Sequence, residues 1–88
     1  MIDILKYNLK IQKNAQKSLA KISEPFQTKI INKILALADN PYCNTKKLTG
    51  REAYRMRIGS YRVIYEISNS ELIILVISIG HRKNIYSK

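Results

Sequence analysis

Hydrophobic residues recur along the chain with two different spacings, and the change falls near Lys47. In the second half, Tyr54–Ile58 interleaves Tyr54, Met56 and Ile58 with Arg55 and Arg57, the period of a strand with one buried face. Gly59-Ser60 predicts a tight link, since glycine accepts the positive φ of a hairpin turn. It leads to a second strand, Tyr61–Ile67, and Asn69-Ser70 predicts the link to a third, Leu72–Ile79. The three form an antiparallel meander. A loop of Gly59 and Ser60 sets its register: Ile58 faces Tyr61, Arg57 faces Arg62, Met56 faces Val63 and Arg55 faces Ile64. One face then carries Tyr54, Met56, Ile58, Val63, Tyr65, Ile67, Ile74 and Val76 as a core wall. The other carries Arg55, Arg57 and Arg62 beside Ile64, Ile73, Leu75 and Ile77. Facing like charges destabilise a sheet by up to about 1 kcal/mol, so packing gives no reason for the Arg57–Arg62 pair, whereas a bound anion would.

The first half has helical spacing. Met1–Tyr7 alternates imperfectly and predicts a short first strand, after which Asn8 can cap a helix to Ala20 or Ile22. Ile11, Ala15, Leu19 and Ile22 make its apolar stripe. Lys10, Lys13, Lys17 and Lys21 make a basic one, either a solvated face or a contact for nucleic-acid phosphates. Ser23 predicts the N-cap of a second helix, with Glu24 and Pro25 in its first turn and Asn40-Pro41 ending it. Phe26, Ile30, Ile34 and Leu37 repeat along this helix and Ile31 and Leu35 widen the stripe, so it is expected to be well buried. Pro41–Glu52 is expected to be a basic loop carrying Lys46, Lys47 and Arg51. The order β-α-α-β-β-β predicts an α+β fold: an N-terminal strand, an antiparallel two-helix hairpin and a three-stranded antiparallel meander, with the helices on one face of the sheet. The apolar residues of the arginine face then need a cover, from the C-terminal tail or from a protein partner.

Charge sharpens this picture. The 88 residues suffice for one modest core, a single domain over 1–88, yet 16 Lys and Arg oppose six Asp and Glu for a net charge of +10. Such a field attracts polyanions, nucleic acid first and an acidic protein second. Cys43 is the lone cysteine, no signal-peptide pattern opens the chain, and the longest apolar run, Leu72–Ile77, is far short of the roughly 20 residues of a membrane span. A cytoplasmic, reduced protein with no membrane association is expected.

The chemistry narrows by type. Cys43 and His81 occur singly and no metal-binding motif is present, so neither metal nor cofactor is expected. The carboxylates form no evident acid/base pair; Glu52 is a weak base candidate, and Glu66 suits a structural or partner contact. What stands out is Arg55, Arg57 and Arg62, followed by Gly80-His81-Arg82-Lys83-Asn84-Ile85-Tyr86. Arginines clamp phosphate and stabilise charge developing on it, but guanidinium does not give up its proton. His81 and Tyr86 are the residues able to move one.

The patterns K-L-x-G (Lys47, Leu48, Gly50), Y-R-M-R-I-x-x-Y-R-V-I-Y (Tyr54–Tyr65) and I-S-I-G-H-R-x-x-x-Y (Ile77–Tyr86) together resemble the RelE branch of the RelE/ParE toxin superfamily. The resemblance implies the toxin of a type II toxin–antitoxin pair, held by an acidic RelB-like antitoxin and cleaving mRNA in the ribosomal A site without a metal. In that reaction a 2′-hydroxyl attacks the adjacent phosphate. By position it also implies catalytic roles for Arg55, Arg57, Arg62, Arg82 and Tyr86; His81 is the base or acid expected beside them, and the basic residues Lys46, Lys47, Arg51, Lys83, Lys10, Lys13 and Lys17 are expected to contact RNA. Three features depart from the family pattern. Arg55 and Arg57 stand where the best-known RelE sequences have lysine, His81 stands where they often have lysine, and the segment between Arg82 and Tyr86 is short. The alternatives are a ParE-like inhibitor of DNA gyrase without nuclease activity and a noncatalytic RNA-binding module.

Overall fold

A computed structural model describes residues 7–42, 45–48 and 53–81. Its elements in chain order are β1 (Asn8–Ile11), α1 (Lys13–Ala20), α2 (Phe26–Leu37), β2 (Thr45–Lys47), β3 (Ala53–Ile58), β4 (Tyr61–Ser68) and β5 (Ile73–His81). The strands form one mixed sheet in the order β1-β5-β4-β3-β2, with both helices on one of its faces.

The β3–β4 hairpin has the expected register: Ile58 pairs with Tyr61, Arg57 with Arg62, Met56 with Val63 and Arg55 with Ile64. Gly59 takes φ +59°, and a Cβ there would meet nothing closer than Phe26 at 4.0 Å. The turn therefore needs glycine for its backbone angle and not for lack of space. The β4–β5 connection is longer than an Asn69-Ser70 link, because the last pair is Ser68 with Ile73. Leu72 within it has φ +54°, an uncommon angle for a branched side chain. Long-range bonds hold the loop: the Asn8 amide donates to the Leu72 carbonyl (2.7 Å), and Asn69 accepts from the Tyr7 hydroxyl (2.6 Å) and donates to Tyr42 (3.1 Å).

Three expectations from sequence are corrected. The expected strand at Met1–Tyr7 falls almost entirely outside the described residues, and the first strand observed is Asn8–Ile11, where a helix start was expected. It pairs in parallel with β5, Leu9 beside Ile74 and Ile11 beside Val76, so a non-local pairing overrides the capping preference of Asn8. The helix begins after Gln12, whose amide donates to the Val76 carbonyl (2.9 Å), while the Gln16 side chain donates to the Ile11 carbonyl (2.8 Å). In the second helix Pro25, not Ser23, holds the N-cap position. Glu24 serves the helix start through its carboxylate, which accepts from the Thr28 amide (3.1 Å). Lastly, the stretch expected as a loop contains β2, antiparallel to β3, with Lys46 facing Arg55 and Lys47 facing Tyr54.

The core lies between the helices and the sheet. Ala15, Ile22, Ile30, Ile34 and Leu37 pack against Met56, Ile58, Val63, Tyr65, Ile74, Val76 and Ile79. Only part of the predicted α2 stripe is inside. Ile30, Ile34 and Leu37 are buried, whereas Ile31 and Leu35 are exposed, because no other element among the described residues covers that flank of the helix. At the far end of the core Tyr65 is fully buried, donates its hydroxyl to the Pro41 carbonyl (2.8 Å) and stacks on Tyr54, against which Tyr42 packs edge-on.

One irregularity governs the placement of candidate site residues. Val63 pairs with Ile79 and Ile64 with Ser78, but Tyr65 pairs with Val76, so Ile77 is an extra residue, a β-bulge. Beyond it the faces exchange: Ile79 enters the core at 3% exposure, where strict alternation from Ile74 and Val76 would have turned it outward. The Asn14 side chain donates to the Ile77 carbonyl (3.5 Å).

Candidate functional site

On the face away from the helices, the register assembles two neighbouring rows. One runs Lys46, Arg55, Ile64, Ser78; the next runs Arg57, Arg62, Gly80. Residues two apart along a strand are about 7 Å apart and neighbouring strands about 5 Å. Four cationic side chains therefore arise from a patch small enough to act on one anionic group. Arg57 is exposed and Arg55 half-buried. Arg62 is buried at 3% exposure, and among the described residues no buried side-chain nitrogen or oxygen lacks a hydrogen-bond partner. A buried charge is tolerated only when it is so engaged. The Arg62 guanidinium is thus held in place before any ligand arrives, while Arg57 beside it faces solvent. Gly80, directly across from Arg62, puts no side chain next to it.

Lys46 stands on β2, in the stretch expected as a loop. Its signal was present in Thr45-Lys46-Lys47, but three residues carry too little alternation to announce a strand. Lys47, next to it, pairs with Tyr54 and so belongs to the helix side of the sheet. Lys10, expected on a helical stripe with Lys13 and Lys17, lies on β1 in the row Lys10, Leu75, Glu66, on the outward face but farther along the sheet. Lys13 and Lys17 are exposed on α1. Arg51, Arg82, Lys83 and Tyr86 lie outside the described residues, as do Cys43 and Glu52.

His81 is not with the arginines. It pairs with Tyr61, in the row that begins at Ile58, and its ring meets Tyr61 edge-on at 5.6 Å. This corrects its expected place beside Arg57 and Arg62. The Ile77 bulge moves Ile79 and His81 together to the helix side, since a one-residue shift reverses the facing of all that follows. The outward apolar residues Ile64, Ile73 and Leu75 are half-buried. With Glu66, Ser68 and Glu71, Ile73 and Leu75 line a shallow cleft at the other end of β4 and β5. Among the described residues no group of three or more His, Cys, Asp and Glu side chains comes together, and no helix is long and apolar enough to cross a membrane.

Two helices on one face of a five-stranded mixed sheet match the fold of solved RelE toxin chains. The chain belongs to the family described as ParE toxin of type II toxin–antitoxin system, whose pattern matches residues 9–86. Its similarity to curated proteins runs to the RelE side of the superfamily. It is 28% identical to a RelE-like toxin protein of Escherichia coli over 82 residues, covering 90% of this chain and 86% of that one. With the mRNA interferase toxin RelE of Escherichia coli K12 it shares 25% identity, covering 93% and 92%. The toxin–antitoxin complex RelBE of Escherichia coli contains a chain matching this structure at a TM-score of 0.75 and 25% identity, covering 85% of this chain and 95% of that one.

Proposed function

We propose that the protein is a cytoplasmic mRNA endonuclease that cleaves in the ribosomal A site and so arrests translation, and that an acidic RelB-like antitoxin holds it in check. The observation that carries this reading is the paired-row cluster Lys46, Arg55, Arg57 and Arg62, in which a pre-positioned buried guanidinium lies beside an exposed one. Fixed donors aimed at developing charge are the largest single contribution in many enzymes, and bidentate guanidinium suits the non-bridging oxygens of a phosphodiester. The reaction needs no metal. The 2′-oxygen loses its proton and bonds to the adjacent phosphorus, the bond to the 5′-oxygen breaks, and that oxygen takes up a proton, leaving a 2′,3′-cyclic phosphate and a 5′-hydroxyl. Arg57 holds the phosphate, the buried Arg62 beside it stabilises the added charge, Arg55 and Lys46 steer the strand, and Arg82 completes the clamp. Tyr86 is the proton-moving group assigned to this site, because His81 belongs to the other side of the sheet. Likeness to the interferase RelE over nearly the whole chain supports the reading.

The antitoxin's expected footing is the apolar outward surface of Ile64, Ile73 and Leu75, with its acidic residues meeting the cationic rows. Primer extension on an mRNA under translation tests the reading. Added protein should produce cleavage at codon positions, and Arg62→Ala should lower the rate by about two to three orders of magnitude. Equal cleavage by both proteins would remove Arg62 from the mechanism. The family pattern itself favours a second reading, a ParE-like inhibitor of DNA gyrase. Inhibition of supercoiling without any RNA cleavage would decide for it.

A further inference from the structure

The helix side of the sheet has a polar cleft that the arginine site does not use. It lies where the end of α1 meets the ends of β4 and β5, with a volume of about 480 Å³, and Ser18, Lys21, Tyr61, Ser78 and His81 line it. Ile22 and Ile79 supply its apolar part. Among the described residues this lining brings the Lys21 ammonium, the His81 ring and the hydroxyls of Ser18 and Tyr61, and no carboxylate.

Aromatic rings continue outward from it. His81 meets Tyr61 edge-on at 5.6 Å, Tyr61 meets Phe26 at 5.7 Å, and the Lys29 ammonium sits 5.9 Å from the Phe26 ring centre. Phe26 is 39% exposed despite its size. Carbonyls left open at the end of α1 would repel an anion, and two of them are engaged. The Ser18 carbonyl accepts from the Lys21 amide (3.1 Å), and the Leu19 carbonyl accepts from Ile22 (3.1 Å) and from the Gln27 side chain (3.0 Å).

Rings interleaved with cations, at a cleft whose described lining has no carboxylate, are the components with which proteins hold single-stranded nucleic acid without reading its sequence. An acidic peptide would use the cations but leave the ring edges and hydroxyls without a role. We infer that this cleft is a second RNA site, which stacks one unpaired nucleotide against the Tyr61–His81 rings and holds its phosphate with Lys21. The inference rests on the reading of the protein as an RNA-directed toxin. The sheet end joins the two sites, since the row Ile58, Tyr61, His81 lies next to the row Arg57, Arg62, Gly80 on opposite faces. A strand leaving the arginines reaches the cleft by passing over the Gly59-Ser60 turn.

The test titrates a 2′-O-methyl hexaribonucleotide, which cannot undergo 2′-hydroxyl attack, into isotope-labelled protein and follows backbone amide resonances. Saturable shifts at Lys21, Tyr61 and His81 are expected. Lys21→Glu and His81→Ala, both at exposed positions, should each weaken that response about tenfold, within the range of a single stacked base. Unchanged affinity in both variants overturns the inference. So does a response at these amides to an acidic peptide and not to the oligonucleotide, which gives the cleft to a protein partner. Arg57→Ala should retain the cleft response while its cleavage slows about 10- to 100-fold. Cleft shifts in a protein that cleaves no RNA at all would sink the endonuclease reading and leave the second site standing.

Discussion

The two faces of the sheet come from the same alternating strands and have opposite characters. Toward the helices, Met56, Val63, Tyr65, Ile74 and Val76 are nearly or fully excluded from water, and the face is closed by side chains of α1 and α2. On the other side, residues one position along the same strands are Arg55, Arg57 and Arg62, with Lys46 added from β2. The first face is given over to packing along most of its length and opens only at the cleft beside Tyr61 and His81. The second concentrates like charge at a cost in stability and keeps its apolar residues only half-covered. The core is therefore concentrated on one side and the cationic rows on the other, and a pleated strand allows this because neighbouring residues never share a face.

If that division holds, substitutions on the two faces should separate stability from activity. Ile74→Ala, at a fully buried position, should cost about 2–5 kcal/mol, read as a lower midpoint in urea unfolding; a loss well under 1 kcal/mol would mean that the closed face is not the source of stability. Arg57→Ala should do the reverse. Its exposed side chain leaves unfolding within about 0.5 kcal/mol of the parent, while the cleavage rate falls about 10- to 100-fold, or about 1.4–2.7 kcal/mol of barrier. Smaller again is Tyr65→Phe, which deletes the bond to the Pro41 carbonyl and should cost about 1–2 kcal/mol of stability with cleavage by the folded protein unchanged. The smallest effect is expected at Leu35, on the helix side but 56% exposed. Leu35→Lys should move the unfolding free energy by less than about 0.5 kcal/mol, and a larger loss would show that α2 has a covered face beyond Ile30, Ile34 and Leu37.

The same division explains which features were legible along the chain. The meander and its register follow from residues that are neighbours in sequence: the alternation of Tyr54–Ile58 and Tyr61–Ile67, and a glycine where the hairpin needs positive φ. Arg57 and Arg62 face each other for those local reasons alone. The second helix was visible from its Ile30, Ile34, Leu37 stripe, though not which flank of it would stay outside, since that depends on how much sheet the helix has to cover.

Long-range contacts decided the rest. Asn8–Ile11 reads as a helix start by capping chemistry, yet it is a strand because β5 offers a parallel partner that lies more than sixty residues away. Lys46 joined the arginine rows through a three-residue pairing with β3 that has no pattern of its own. The bulge at Ile77 leaves no mark in an unbroken run of aliphatic residues, because Ile77 is as good a strand residue as its neighbours. It nonetheless determines on which side of the sheet His81 lies. Sequence alone determined that this protein has one buried wall, one cationic wall and an arginine pair facing each other across a turn. Only the tertiary structure decided that the histidine stands with Tyr61 and Lys21 and not with the arginines, because facing in a sheet is a matter of parity and one unpaired residue reverses it.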